Sequence, residues 1–486
     1  MTTTTTTSVS VSPPSRLLDA THRRLTVGIV LGISVVGFEA LGVSTAMPAA
    51  ARSLNGLALY GWAFTALLLG QLMGIVLASG DADERGPFRA YVAAVAAFIA
   101  GLAVGSAAPT MAILVGSRFV AGTGAGALLL LNWTLIGRVY PEALRSKMLA
   151  AASSAWVVPG LVGPAAAGWV ADHLTWRLVF GAVIAPLILA GWLLIPAARR
   201  LGPPERADAT ESAHQRFFDA DRGARSWAAL YITTGAALAL GGLGSHRLSV
   251  LAGLVMVGGA LMVVGARTLF PAGTWRAATG LPAVVATYAL LFAAFTGIES
   301  FLPLALNQLR GTTSTESGLI LTCGTTTWAL GSWMQSRQPP RWATANWRMG
   351  ATAVLAAGLA SMTALTVAGV PAWVTYAGWA AGSLGMGLSF ASVSEATFRM
   401  VGEHQVGLAS GATQLAGALL AALATGVGGA ILDAKHSSAI GFRIGFLLCV
   451  GLAVAALAAG RAVPPIPGGT PVEMADSPDL HGRIDL

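Results

Sequence analysis

Residues 116–133 read GSRFVAGTGAGALLLLNW, an apolar run that admits a guanidinium at Arg118 and an amide at Asn132. Positions 118, 122, 125, 129, 132 and 136 recur at helical spacing, so Arg118 and Asn132 fall on one stripe. The cost of that charge depends on what surrounds the helix, and composition decides it. Of 486 residues, 55% are hydrophobic and only 10% charged, with a mean hydropathy of +0.69. An ordinary soluble domain carries roughly 25% charged residues, so this is a polytopic membrane protein. Inside a span, an unpaired Arg costs several kcal/mol, and two polar groups on one stripe favour a protein-lined interior over lipid. Gly122, Gly124 and Gly126 follow an apolar helix and lack a following Lys, so they read as close helix packing rather than as a phosphate loop.

A span needs about 20 apolar residues. Fourteen stretches qualify, near 25–48, 58–79, 90–108, 111–137, 148–170, 178–197, 227–244, 248–266, 281–304, 317–334, 349–368, 372–393, 407–432 and 440–460. The first ends in AMPAAAR, which offers a signal-peptidase-like site, but the run is longer than a signal core and contains Glu39, so it is expected to be retained. Most of the 29 Lys and Arg fall on the loops that share a side with both termini, which places those termini in the cytoplasm. Residues 1–24 (with MTTTTTTSVSVSPPS) and 461–486 read as disordered cytoplasmic tails, and 198–226 as the longest cytoplasmic loop. Cys323 and Cys449 lie in apolar runs and imply no disulfide framework.

Three motifs sit on this frame. SGDADERGPFR (79–89) joins the second and third spans, with Asp83, Arg85 and Gly86 suited to a charge latch between moving helices. In AWVVPGLVGPAAAGWVAD (155–172), Gly160, Gly163 and Ala167 line one face beside Pro159 and Pro164, which allows close approach and bending. FEALGVSTAMP (38–48) buries Glu39 in the first span, next to Phe38.

These stretches resemble the major facilitator superfamily. The 79–89 loop is a degenerate form of its G-x-x-x-D-R-x-G-R-R, keeping Asp83 and Gly86; 118–127 resembles R-x-x-Q-G-x-G-x-A, with Ala121 in place of Gln. The fifth span resembles the antiporter motif G-x-x-x-G-P-x-x-G-G through Gly163, Pro164 and Gly168, with Pro159 and Ala167 departing from it. Glu39 stands where the 14-spanner drug:proton antiporters carry an Asp, LYGWAFTALLL (59–69) resembles their second span, and TWRLVF (175–180) resembles the Trp-Arg pair before their sixth. The resemblance covers about residues 25–460 and implies an all-α membrane protein of major facilitator fold. It comprises six-helix bundles at 25–197 and 281–460, with an inserted pair at 227–266.

By the same resemblance, the first and fourth helices of each half line a central cavity, which would hold Glu39, Arg118 and Glu299 as proton-coupling residues. Burial favours a neutral carboxyl and a nearby Arg favours the charged one, so such a group can bind and release a proton. The plainer alternatives are a static Glu39–Arg118 bridge and an Arg118 that snorkels to the interface. Tyr288, Phe292, Phe295 and Glu299 step along one helical face, as do Trp379, Ser383, Met386 and Phe390. With Phe38 and Asn132 they suit a lipophilic or cationic ligand through stacking and cation–π contact; lipid-facing aromatics are the other reading.

The expected function is proton-coupled export of lipophilic or cationic organic compounds by alternating access, with uptake or facilitated diffusion of a small metabolite as the alternative. A membrane-embedded enzyme or receptor finds little support. The seven His (22, 173, 214, 246, 404, 436 and 481) lie in loops or tails, no metal-ligand or Ser/His/Asp constellation is evident, and no extended soluble domain is present. No metal, cofactor or nucleic acid is expected. The partners are a small-molecule substrate, protons and the lipid bilayer, and the chain is expected to be a monomer in a bacterial inner membrane.

Overall fold

The computed structural model describes residues 17–19, 22–202, 222–245, 247–337, 345–400, 406–435 and 438–464. Most of both tails and most of the 198–226 loop, expected to be disordered and cytoplasmic respectively, lie outside the described residues. The described regular structure is helical throughout. The first group comprises α1 (Arg23–Ser53), α2 (Tyr60–Arg85), α3 (Pro87–Ala107), α4 (Met111–Val139), α5 (Glu142–Ser154), α6 (Val157–His173), α7 (Trp176–Gly181) and α8 (Ile184–Arg200). A pair follows, α9 (Arg222–Leu243) and α10 (Leu248–Leu269). The last group is α11 (Leu281–Arg310), α12 (Ser314–Ser336), α13 (Ala345–Ser361), α14 (Ala372–Arg399), α15 (Val406–Ala434) and α16 (Ala439–Gly460).

Twelve segments among the described residues are long and apolar enough to cross a membrane. The expected fourteen included α12 and α14; with 23 and 28 residues they are long enough, but their Thr, Ser and Gly content keeps them out of the twelve.

Proline places two interruptions that hydropathy hides. The fifth apolar run divides into α5 and α6 at Ala155–Trp156, because Pro159 has no N–H for the Ala155 carbonyl and its ring crowds that oxygen. The Ser34 hydroxyl donates to the freed carbonyl at 2.8 Å. The sixth run divides into α7 and α8 at Ala182–Val183, four residues before Pro186.

Glycine spacing sets the packing of the first group. A Cβ at Gly122 or Gly126 would strike the α2 carbonyls of Leu67 or Gln71, and one at Gly124 would strike α3 near Phe98 and Ala94. Residues 122 and 126 thus face one neighbour and 124 the other, and the GTGAG run is a packing device. The two groups meet where α2 lies against α15 and α6 against α12. The α9–α10 pair touches the bundle through α9, against α2 and α15, and α10 is largely exposed.

Candidate functional site

Near the middle of α1, Glu39 is fully buried, and Arg118, two turns into α4, is 1% exposed. The Arg118 Nη1 donates to Glu39 Oε1, its Nε donates to the Ala63 carbonyl of α2 at 3.3 Å, and its guanidinium lies 5.9 Å from the Phe180 ring of α7. One side chain thereby ties four helices, and snorkelling is excluded by its burial. The pair is incompletely satisfied: Glu39 Oε2 and Arg118 Nη2 have no hydrogen-bond partner. In so dry a setting an uncompensated polar atom is expensive.

Asn132 is buried on the predicted stripe but lies about 21 Å along α4 from Arg118, at 1.5 Å per residue. It accepts the Tyr91 hydroxyl at 3.1 Å, and its Nδ2 is unpartnered beside Gly32 of α1. Phe38 packs on Gly42 and Gly163, between α1 and α6.

The motif that resembles the antiporter signature packs on the second group. A Cβ at Gly168 would strike the Ser314 carbonyl and one at Gly318 the Pro164 carbonyl, so α6 and α12 touch backbone to backbone. Pro164 supplies no N–H to the Gly160 carbonyl, which accepts the Thr325 hydroxyl of α12 at 2.6 Å. At the last turn of α6, Asp172 caps α12: Oδ1 accepts Ser314 N–H at 3.1 Å, and Oδ2 accepts Thr315 N–H and Oγ1–H at 2.7 Å each. A carboxylate on a helix N-terminus meets both free N–H groups and the positive end of the helix dipole. Arg52 to Asn307, Tyr60 to the Ser300 carbonyl at 3.0 Å and Thr65 to Thr425 at 3.1 Å are further ties between the groups, all from the Ser53 end of the bundle to its middle.

The two predicted aromatic stripes face inward and meet. Trp379 stacks on Phe295 at 4.7 Å, Tyr288 lies 4.6 Å from Phe390, and Phe292 lies 6.4 Å from Phe390. Lipid-facing aromatics are therefore ruled out for Phe295 and Trp379, 2% and 1% exposed. Trp328 of α12 completes the cluster, edge-on to Phe295 at 4.9 Å and to Phe390 at 5.6 Å. Glu299 sits one turn beyond Phe295, half-buried, with no hydrogen bond or ion pair among the described residues, and it is not joined to the Glu39–Arg118 pair.

The charged loop differs from its expected form. The helix runs through Arg85, and the tight turn shrinks to Gly86, whose φ of +79° suits only glycine and whose Cβ would lie 2.7 Å from the Leu201 carbonyl. Arg85 binds Asp81 at 2.8 Å, one turn back on its own helix; the Asp83 side chain lies outside the described residues. Sequence reasoning also missed Asp172, Thr325 and Trp328. The T-x-x-E signature at Thr313–Glu316, a capping box in the structure, marked a helix N-terminus that a nearby acid serves.

No group of three or more potential metal ligands occurs among the described residues. A family profile, Major Facilitator Superfamily, matches residues 29–425. The chain belongs to that superfamily, and so to a class of transporters rather than enzymes. Among its relatives, a Mycobacterium tuberculosis protein named "Probable multidrug-efflux transporter" is 30% identical over 182 residues, 37% of this chain and 38% of that protein. The multidrug transporter protein MdtP of Bacillus subtilis is 28% identical over 156 residues, 32% of this chain and 29% of the other. These matches span less than half the length of either relative. The fold is similar to that of the crystal structure of a D-xylose-proton symporter, with a TM-score of 0.63 at 15% identity over 92% of this chain and 99% of that one. A human organic anion transporter, MFSD10, gives 0.58 at 14% identity over 90% and 98%.

Proposed function

We propose that this protein is a proton-coupled exporter of lipophilic or cationic organic compounds, working by alternating access. The observation that carries the reading is the Glu39–Arg118 pair, buried at the meeting of four helices with one atom of each partner unsatisfied. A proton on Glu39 cancels half of the pair and frees the guanidinium, changing which arrangement of the surrounding helices is favoured. Each inward proton supplies about 2.3 kcal/mol per 100 mV of membrane potential, plus the pH term. The aromatic cluster of α11, α12 and α14 supplies the face on which an organic substrate stacks, and the multidrug names of the partial relatives agree with that substrate class.

Glu299 is the second proton-coupling residue in this reading, and the Asp83–Arg85–Gly86 segment a latch at the opposite end from Asp172. Adding α12 and α14 to the twelve apolar segments gives fourteen spans in two six-helix bundles with α9–α10 inserted. Both termini are cytoplasmic in a bacterial inner membrane, so the ties at the Ser53 end close the outer side. The working unit is a monomer in lipid.

The test is transport of a fluorescent lipophilic cation into or out of proteoliposomes under an imposed pH gradient, for wild type and Glu39→Gln. Gradient-driven transport in wild type and its uncoupling in the variant are expected. Full gradient dependence in the variant would remove Glu39 from the coupling step, and net movement with the proton gradient would reverse the direction to uptake.

A further inference from the structure

Trp379 and Ser383 stand one turn apart on α14 and are 1% and 0% exposed. Yet Trp379 Nε1 and Ser383 Oγ have no hydrogen-bond partner. Both converge on one spot of α12: a Cβ at Gly324 would strike Trp379 Nε1 and lie 2.9 Å from Ser383 Oγ. Two donors in one place, neither used, are unusual, because buried polar groups are otherwise nearly always satisfied. The fold has had to leave out a side chain at Gly324 to accommodate them.

Their surroundings define what would use them. From Trp379 the rings run continuously to Phe295 at 4.7 Å, Trp328 at 4.9 Å, Phe390 at 5.6 Å and Tyr288 at 4.6 Å. Contributions come from α11, α12 and α14, so the cluster lies where these three helices pack, and a ligand reaches it when α12 and α14 separate at Gly324. Arg118 and Glu39 belong to the other helix group and have each other.

We infer that the Trp379 indole N–H and the Ser383 hydroxyl are specificity determinants, which select flat, conjugated substrates bearing a hydrogen-bond-accepting oxygen or nitrogen. This deepens the proposed export function and rests on it. The rings provide stacking that any planar molecule satisfies. The N–H and O–H reward only a molecule with an acceptor at its edge, and a site with committed donors discriminates against an analogue that lacks one. Ser383 reaches a ligand by rotation about χ1, whereas stacking on Phe295 fixes the indole plane, so Trp379 sets the direction and Ser383 adapts.

Two dyes test this: rhodamine 6G, a flat cation with an ester carbonyl, and ethidium, a flat cation whose polar substituents are amino groups. Equilibrium binding to purified protein is measured for wild type, Trp379→Phe and Ser383→Ala, with melting temperatures to verify folding; Trp379→Phe keeps an aromatic ring at the position, removes the N–H and trims stacking area that both dyes share. Rhodamine binding is expected to weaken by roughly fivefold to tenfold in Trp379→Phe while ethidium changes by less than about twofold, with Ser383→Ala moving the same way. Equal weakening of both dyes, or of neither, overturns the inference, as does failure of wild type to bind rhodamine. If Trp379→Phe does not fold, Ser383→Ala alone decides by the same contrast. Binding with the expected contrast but without gradient-driven transport upholds the selectivity and overturns the export reading alone.

Discussion

The Thr325 hydroxyl of α12 donates to the Gly160 carbonyl of α6 at 2.6 Å, across the boundary between the two helix groups. Pro164 leaves that carbonyl without its helical donor, so the hydroxyl replaces the missing N–H. Thr325→Val keeps the shape and strands a buried acceptor, which should destabilise the protein by about 1–3 kcal/mol, whereas Thr325→Ser should be nearly silent. Adding Pro164→Ala restores the N–H, so Thr325→Val should cost much less in that background. Melting temperatures of the four members of this cycle check the coupling.

Asp172 holds α12 through three hydrogen bonds, two to backbone N–H groups at its first turn. Asp172→Ala removes all of them and the charge on the helix dipole. Spin labels at the exposed Leu174 and Leu319, read by pulsed electron resonance, should report one dominant distance in wild type and a second, longer population in the variant. An unchanged distribution would mean that the α6–α12 seam holds without its cap.

Breaking the Glu39–Arg118 pair from one side leaves a buried charge without its counterpart. Glu39→Gln should lower stability by about 3–5 kcal/mol, seen as a large fall in melting temperature in lipid nanodiscs. Glu39→Gln with Arg118→Gln should recover part of that loss, because neither charge remains. A double variant worse than the single one would show that Arg118 acts chiefly through Ala63 and Phe180.

The α6–α12 seam admits no extra carbon. Gly318→Ala places a methyl 2.7 Å from the Pro164 carbonyl carbon and should cost about 1–3 kcal/mol. Gly350→Ala on α13 meets nothing within 4 Å and should be neutral or stabilising by up to about 1 kcal/mol, the ordinary helical preference for Ala. The two melting temperatures, measured side by side, separate close packing from propensity.

How much of this was legible in the chain depends on the kind of signal. Glu39 and Arg118 stood out because a charge in an apolar run is conspicuous, but their pairing joins positions 79 residues apart and needed the fold. The breaks before Pro159 and Pro186 were hidden because hydropathy is blind to a missing N–H. Asp172 carried no signal of its own, since its meaning comes from a helix that starts 142 residues later. Arg85 was assigned to a turn by the flanking Gly86 and Pro87, whereas the helix extends to its last possible residue and pairs it with Asp81. Trp328 lay among threonines and serines that lower the apolarity of α12, so its place among the rings could come only from packing.

The prolines of α6 have one further consequence. A carbonyl released by a broken helix can be reclaimed when the helix re-forms, but one released by proline has no donor to return to. Ala155 draws on Ser34 within the first group, and Gly160 draws on Thr325 in the second. If those groups part, the first supply survives and the second is cut. Water must then reach Gly160, so any such parting would open a hydrated crevice along α6.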